Sequence, residues 1–222
     1  MNELVEKLRK DFLDSWWPQE VGKPYEQLFA ELIQRYSEPH RHYHNLQHID
    51  ECLVEYARIK DELLDIDERL KMAIWFHDAV YDTRAHDNEE QSARLARSLL
   101  LRLGIAKQEP EHLDNLSLDY ITEVEKCILA TRHTERPIGF SQEYIVDIDL
   151  SILGKPEKRF DEYDAAIRQE YLWVPDEQYR EGRSRIFHSF LERSRIFYTD
   201  HFADKYEIKA RENLERAIER LE

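Results

Sequence analysis

The chain has 222 residues, a length that favours one domain or one domain with a terminal extension. A hydrophobic fraction of 41%, with only 5 glycines and 7 prolines, indicates a packed and mostly helical protein and argues against wholesale disorder. The formal net charge of −15 argues against general binding to DNA or RNA, because phosphate backbones require a basic face.

The N-terminal sequence lacks the charged-then-apolar pattern of a signal peptide, and no apolar run approaches the length of about 18 residues that indicates a membrane span. Two cysteines, Cys52 and Cys127, both fall within helical patterns. They are interpreted as reduced, buried residues rather than as a disulfide framework. These features predict a cytoplasmic protein that does not associate with membranes.

Apolar residues at helical spacing predict helices along most of the chain. The predicted helices cover 2–15, 25–36, a segment capped by Asn45, 67–76, a segment from a cap at Asp87 or Asn88 to Gly104, 121–131, 158–173, 176–191 and 204–221. A polar linker is predicted at 108–118. Residues 144–150 have the composition of a strand but no partner strand, so a helix or turn is favoured. The predicted fold is an all-α single-domain bundle over 1–222, with 156–222 as a C-terminal helical extension packed on the core.

One predicted helix ends in a histidine and an aspartate side by side, after the apolar run Met72–Phe76. Burying His77 and Asp78 costs several kcal/mol unless both are satisfied. A divalent cation would satisfy both, through a neutral imidazole nitrogen and a carboxylate oxygen. A second pair, His86-Asp87, lies in a polar loop where water can solvate it. The first pair is therefore the candidate metal site.

Further metal-binding side chains come from two other segments. His48 lies on the predicted third helix, with His44 four residues earlier, and Asp147 and Asp149 lie in an apolar segment. Two imidazoles and two carboxylates make a mixed nitrogen and oxygen site, suited to Mn, Fe, Co, Ni or Zn and less to Ca. Such a site lowers the pKa of a bound water and produces hydroxide near neutral pH.

Four segments together resemble the HD-domain superfamily of metal-dependent phosphohydrolases, and most closely one bacterial group of predicted HD phosphohydrolases. They are Arg41–His48, Trp75–Tyr81, Asp147–Gly154 and Glu207–Leu214. The resemblance implies an all-helical fold and hydrolysis of a phosphate ester. It also implies a divalent metal ion, with Mn, Fe, Co, Ni, Zn and Mg as candidates. The implied ligands are His48, His77, Asp78 and Asp149.

The candidate catalytic residues are Asp78 and Asp82, either of which could orient or deprotonate the attacking water. Some nucleotide-cleaving HD enzymes place an acidic pair three and four residues after the HD aspartate. Here those positions are Tyr81 and Asp82, so only Asp82 can take that role. Asp149 is favoured over Asp147 as the ligand, and Asp147 is expected to cap a helix or support a ligand.

Three other residues either line the site or have structural roles: His44, His133 and Arg183. The leading interpretation is a metal-dependent phosphohydrolase that acts on a small phosphorylated compound, with a nucleotide as the favoured substrate. The alternative is a non-catalytic helical module that binds a metabolite or a protein partner and has a structural or relic metal. No nucleic-acid polymer is expected as a partner, and a homodimer remains open.

Overall fold

The computed structural model describes residues 3–14, 23–62, 68–103 and 115–222, and all regular structure in these ranges is helical. The helices are α1 Glu3–Asp14, α2 Lys23–Tyr36, α3 Leu46–Glu62, α4 Glu68–Phe76, α5 Asn88–Arg102, α6 Asn115–Ala130, α7 Phe140–Leu150, α8 Glu157–Glu170, α9 Asp176–Leu191 and α10 Asp200–Leu221, with a 3₁₀ turn at Ser151–Gly154. The all-α prediction is therefore confirmed. Within the described ranges, no helix combines the length and the apolarity that a membrane crossing requires.

Several element boundaries differ from the predicted ones. The strand-like segment 144–150 belongs to α7, so its helical interpretation is confirmed. The predicted linker was wrong at its end, because residues 115–118 form the first turn of α6. Helix α10 begins four residues earlier than predicted, because the side chain of Thr199 caps it by accepting a hydrogen bond from the backbone N–H of Phe202. Asp67, Gly104 and 108–114 lie outside the described residues.

Contacts within the chain define two compact units, Met1–Ile145 and Val146–Glu222. In the first unit α4 is the central element, since every residue from Leu70 to Phe76 is buried. The Trp75 ring packs edge-on against Phe12, with ring centroids 5.1 Å apart. Helix α6 packs against both α4 and α5. A helix that is buried all round can deliver polar groups at its end into a fixed, largely water-free position.

In the second unit α10 packs against the 3₁₀ turn and against α9. The approach is close enough to require glycine at the turn, because a Cβ on Gly154 would lie 2.5 Å from the Cβ of Tyr206. The amide nitrogen of Asn213 donates to the carbonyl oxygens of Leu153 and Lys155, at 2.8 and 2.9 Å. These contacts fix the chain directly after α7.

Candidate metal centre

Helix α4 positions the first candidate ligand. The backbone N–H of His77 donates to the carbonyl of Ala73 at 2.9 Å, so His77 continues the last helical turn. Its side chain is only 2% exposed, because it follows the buried run Leu70–Phe76. The ring nitrogen Nδ1 lies 2.8 Å from the carbonyl oxygen of Ile74. A carbonyl can only accept, so Nδ1 carries the proton and the lone pair of His77 lies on Nε2.

Helix α3 supplies the second imidazole. Asn45 caps this helix as predicted, since its side-chain oxygen accepts the N–H of Gln47 at 2.9 Å. His48 follows in the first turn and is 2% exposed. Its Nε2 lies 3.0 Å from Nε2 of His77. Two imidazoles from separate helices therefore present the same ring atom to one point.

The carboxylate of Asp78 completes a triangle with these imidazoles. Its Oδ2 lies 3.2 Å from Nε2 of His77 and 3.6 Å from Nε2 of His48. Burial alone would raise the pKa of the Asp78 carboxyl. The positive charge that the rings of His77, His44 and His48 carry when protonated outweighs burial and holds that pKa well below its usual range. Asp78 is therefore an ionised carboxylate beside two nitrogen donors.

The thiol of Cys52 lies close to the same imidazoles. Sγ of Cys52 is 3.8 Å from both ring nitrogens of His48. In the group formed by His48, Cys52 and His77, one donor atom of each residue lies within 4.8 Å of the others. Cys52 was not among the predicted ligands, and the ligand role of Asp149, on α7, stays a prediction. The one-turn spacing between His48 and Cys52 is the sequence signal that could have identified this cysteine.

The donor separations fit a transition-metal ion. Around a tetrahedral ion, typical bond lengths place two nitrogen ligands about 3.3 Å apart and a sulfur and a nitrogen about 3.6 Å apart. Nε2 of His48 and Nε2 of His77 are 3.0 Å apart. Oδ2 of Asp78 lies 3.2 Å from Nε2 of His77 and 3.6 Å from Nε2 of His48, and Sγ of Cys52 lies 3.8 Å from Nε2 of His48. Each lies within about 0.4 Å of these values. His48, His77 and Asp78 could therefore hold a metal ion, with the thiol of Cys52 nearby.

A buried arginine, Arg41, binds backbone carbonyl groups next to the candidate ligands. The guanidinium of Arg41 donates to the carbonyl oxygens of His44, Asp78 and Ala79, at 3.1, 2.7 and 3.3 Å. Its Nε donates to the carboxylate of Glu38 at 2.9 Å. Sequence reasoning assigned Arg41 no role of its own, because its targets are backbone groups up to 38 residues away.

Two further residues of the predicted site, His44 and Asp82, have partners close by in the structure. The ring of His44 stacks on Tyr81 with centroids 4.1 Å apart, and lies 5.9 Å from the ring of His48. Asp82 is exposed, and its Oδ1 accepts the backbone N–H of Arg84 at 2.9 Å. The catalytic role of Asp82 remains a prediction.

Asp147 and Arg183 have strong local partners instead. Asp147 is fully buried and accepts the N–H groups of Tyr198 and Thr199, at 2.8 and 2.7 Å. Nε of Arg183 donates to Asp164 at 3.1 Å, and its guanidinium lies 4.3 Å from the ring centroid of Phe187. These contacts give both side chains a structural role.

His133 lies just beyond the end of α6. Its φ of 58° is in the left-handed region, and its N–H donates to the carbonyl of Ala130 at 3.3 Å. A left-handed residue at this position commonly ends a helix, which accounts for its backbone conformation.

Comparison with models of protein families finds no match, and comparisons with curated proteins and with solved structures find none either. The chain is thus characterised by its own residues. All regular structure in its described ranges is helical, and it brings together His, Cys and Asp side chains that could bind a metal ion and are compatible with an HD-type site.

Proposed function

We propose that this chain is a metal-dependent phosphohydrolase of the HD-domain type that acts on a small phosphorylated compound, with a nucleotide as the favoured substrate. The observation that carries the proposal is the convergence of Nε2 of His48, Nε2 of His77 and Oδ2 of Asp78 at separations of 3.0 to 3.6 Å. The resemblance of four sequence segments to HD phosphohydrolases links this donor set to phosphate chemistry.

A divalent ion bound there would supply Lewis acidity toward a phosphoryl oxygen and would lower the pKa of water. The ionised carboxylate of Asp78 would accept a hydrogen bond from the attacking water and so orient it. Asp82, in the exposed loop that follows α4, is the second candidate for this role. His44, stacked on Tyr81, would donate a hydrogen bond to a phosphate oxygen.

The second candidate function is a non-catalytic module with a structural metal. The observation that favours it is the thiol of Cys52, which lies 3.8 Å from Nε2 of His48 and within 4.8 Å of a donor atom of His77, and so offers a further protein ligand. Structural zinc sites are commonly closed by four protein ligands, whereas catalytic sites keep one position for water or substrate. Metal binding alone therefore does not establish hydrolysis, and the two functions require separate measurements.

The test begins with protein treated with a chelator and shown by elemental analysis to be metal-free. Hydrolysis of a generic phosphomonoester and of nucleoside mono-, di- and triphosphates is then measured with Mn, Fe, Co, Ni, Zn or Mg. We expect no turnover without metal and restored turnover with at least one ion. Undiminished turnover by metal-free protein would refute the proposal. Stoichiometric metal binding without hydrolysis of any phosphorylated compound would favour the structural alternative.

A further inference from the structure

We infer that Cys52 is a ligand of the metal ion, and that the centre therefore prefers ions that bind sulfur well, such as Zn²⁺, Co²⁺ and Fe²⁺, over Mg²⁺ and Mn²⁺. The inference rests on the metal centre of the proposed function and specifies which class of ion it takes. The predicted donor set of two histidines and two aspartates contained only nitrogen and oxygen, which leaves Mg²⁺ and Mn²⁺ as good candidates.

The position of Cys52 on α3 makes coordination feasible. Residues four apart lie on one face of a helix, one turn from each other, so the side chains of His48 and Cys52 can bind the same ion. Sγ lies 3.8 Å from both ring nitrogens of His48, and its distance to Nε2 is close to the separation of about 3.6 Å expected for sulfur and nitrogen ligands of one tetrahedral ion. It also lies within 4.8 Å of a donor atom of His77.

The other cysteine of the chain provides an internal comparison. Cys52 and Cys127 are both buried thiols on helices, with exposures of 3% and 0%. Among the described residues, the group of clustered metal donors contains Cys52 and does not contain Cys127. Burial is thus common to both cysteines, and proximity to two imidazoles distinguishes Cys52.

A thiolate ligand has definite chemical consequences. On binding, the S–H bond of Cys52 is replaced by a sulfur–metal bond and the proton passes to the buffer, with no change in oxidation state. Soft thiolate ligands favour Zn and Fe, while imidazoles suit Zn, Fe and Ni and oxygen donors suit Mg, Ca and Mn. Adding sulfur to two imidazoles therefore moves the preference away from Mg²⁺ and Mn²⁺.

Cobalt provides a direct readout of the ligand sphere that does not depend on catalysis. Metal-free protein, kept reduced with a thiol-free reductant, is titrated with Co²⁺ while the absorption spectrum is recorded. We expect visible d–d bands from the bound ion together with a near-ultraviolet sulfur-to-cobalt charge-transfer band, both saturating at the same equivalence. Bound cobalt with d–d bands but no charge-transfer band in the native chain would overturn the inference and leave the metal centre intact. Failure to bind cobalt or zinc at all would overturn both.

Matched variants assign the band to one sulfur. Cys52→Ala should lose the charge-transfer band, whereas Cys127→Ala should keep it, and circular dichroism checks that each variant is folded. A band that persists in folded Cys52→Ala, or that disappears in Cys127→Ala alone, would contradict the assignment. Cys52→Ser preserves the side-chain shape. In this variant we expect the preference for Zn²⁺ over Mn²⁺, measured by competition, to fall more than about tenfold, and an unchanged ratio would also contradict it.

Discussion

The guanidinium of Arg41 donates a hydrogen bond to the backbone carbonyl of Asp78 at 2.7 Å, across 37 residues of sequence. The side chain of Arg41 is fully buried, and it also holds the carbonyls of His44 and Ala79. One cation therefore joins the segment before α3 to the turn after α4. Because the candidate ligands His48 and Asp78 follow or belong to these segments, Arg41 sets their backbone positions.

Arg41→Lys should weaken both the fold and the metal centre. A lysine ammonium lacks the planar fork that reaches several carbonyls at once, so buried acceptors lose their donors. We expect a loss of about 2–3 kcal/mol in the free energy of unfolding and a fall of at least about tenfold in metal affinity. Denaturant unfolding and metal titration measure the two effects. Arg94→Lys on the exposed face of α5 is the control, and equal behaviour of the two variants would refute the role of Arg41.

The two histidine–aspartate pairs of the chain provide a second test. His77 is buried at the candidate centre, whereas His86 and Asp87 are exposed in the loop before α5. His77→Ala should abolish stoichiometric metal binding and hydrolysis. His86→Ala should retain both and change stability by no more than about 0.5 kcal/mol. Elemental analysis of the purified variants decides between the pairs, and metal loss in His86→Ala alone would show that the wrong pair was chosen.

Asp147 and Asp149 form a matched pair on α7, two residues apart. Asp147 accepts two backbone N–H groups and the hydroxyl of Thr199, the last at 2.7 Å. Asp147→Asn places an amide N–H₂ against these donors, and we expect a loss of about 2–4 kcal/mol in stability. Asp149→Asn should instead lower metal affinity with little change in stability. Denaturant unfolding and metal titration of both variants test this division, which the reverse pattern would contradict.

Local sequence signals predicted the parts of the centre that depend on one helix. The apolar run of α4 predicted a buried helix that ends at His77, and Asn45 was correctly predicted to cap α3. Such features depend on spacing and on side-chain chemistry within a few residues, which the sequence displays directly.

Features that depend on distant partners were not predictable in the same way. The early start of α10 depends on Thr199, whose backbone and hydroxyl are held by Asp147, 52 residues away. At α5, by contrast, the sequence predicted a side-chain cap that does not form. Asp87 takes the predicted position before α5 but makes no side-chain capping bond, and its carboxylate instead accepts from the side-chain amide of Gln91 at 2.7 Å. Composition identifies good capping residues, and competing partners decide whether they cap.

The last prediction concerns alkaline stability and Tyr179 on α9. Burial raises the pKa of Tyr179 to about 12, with Arg183 opposing the shift and Asp164 adding to it. The folded state therefore keeps this proton at pH values where the unfolded chain, with a tyrosine pKa of about 10, has lost it. The contribution to stability is complete below about pH 10, declines as the pH rises from about 10 to 12, and is then lost.

Tyr179→Phe should remove this part of the decline. At neutral pH it should be within about 1 kcal/mol of the native chain, since the buried Tyr179 hydroxyl has no hydrogen-bond partner among the residues that the structure describes. Denaturant unfolding of both proteins at several pH values gives the difference directly, and parallel stability curves above pH 10 would show that this phenol titrates normally.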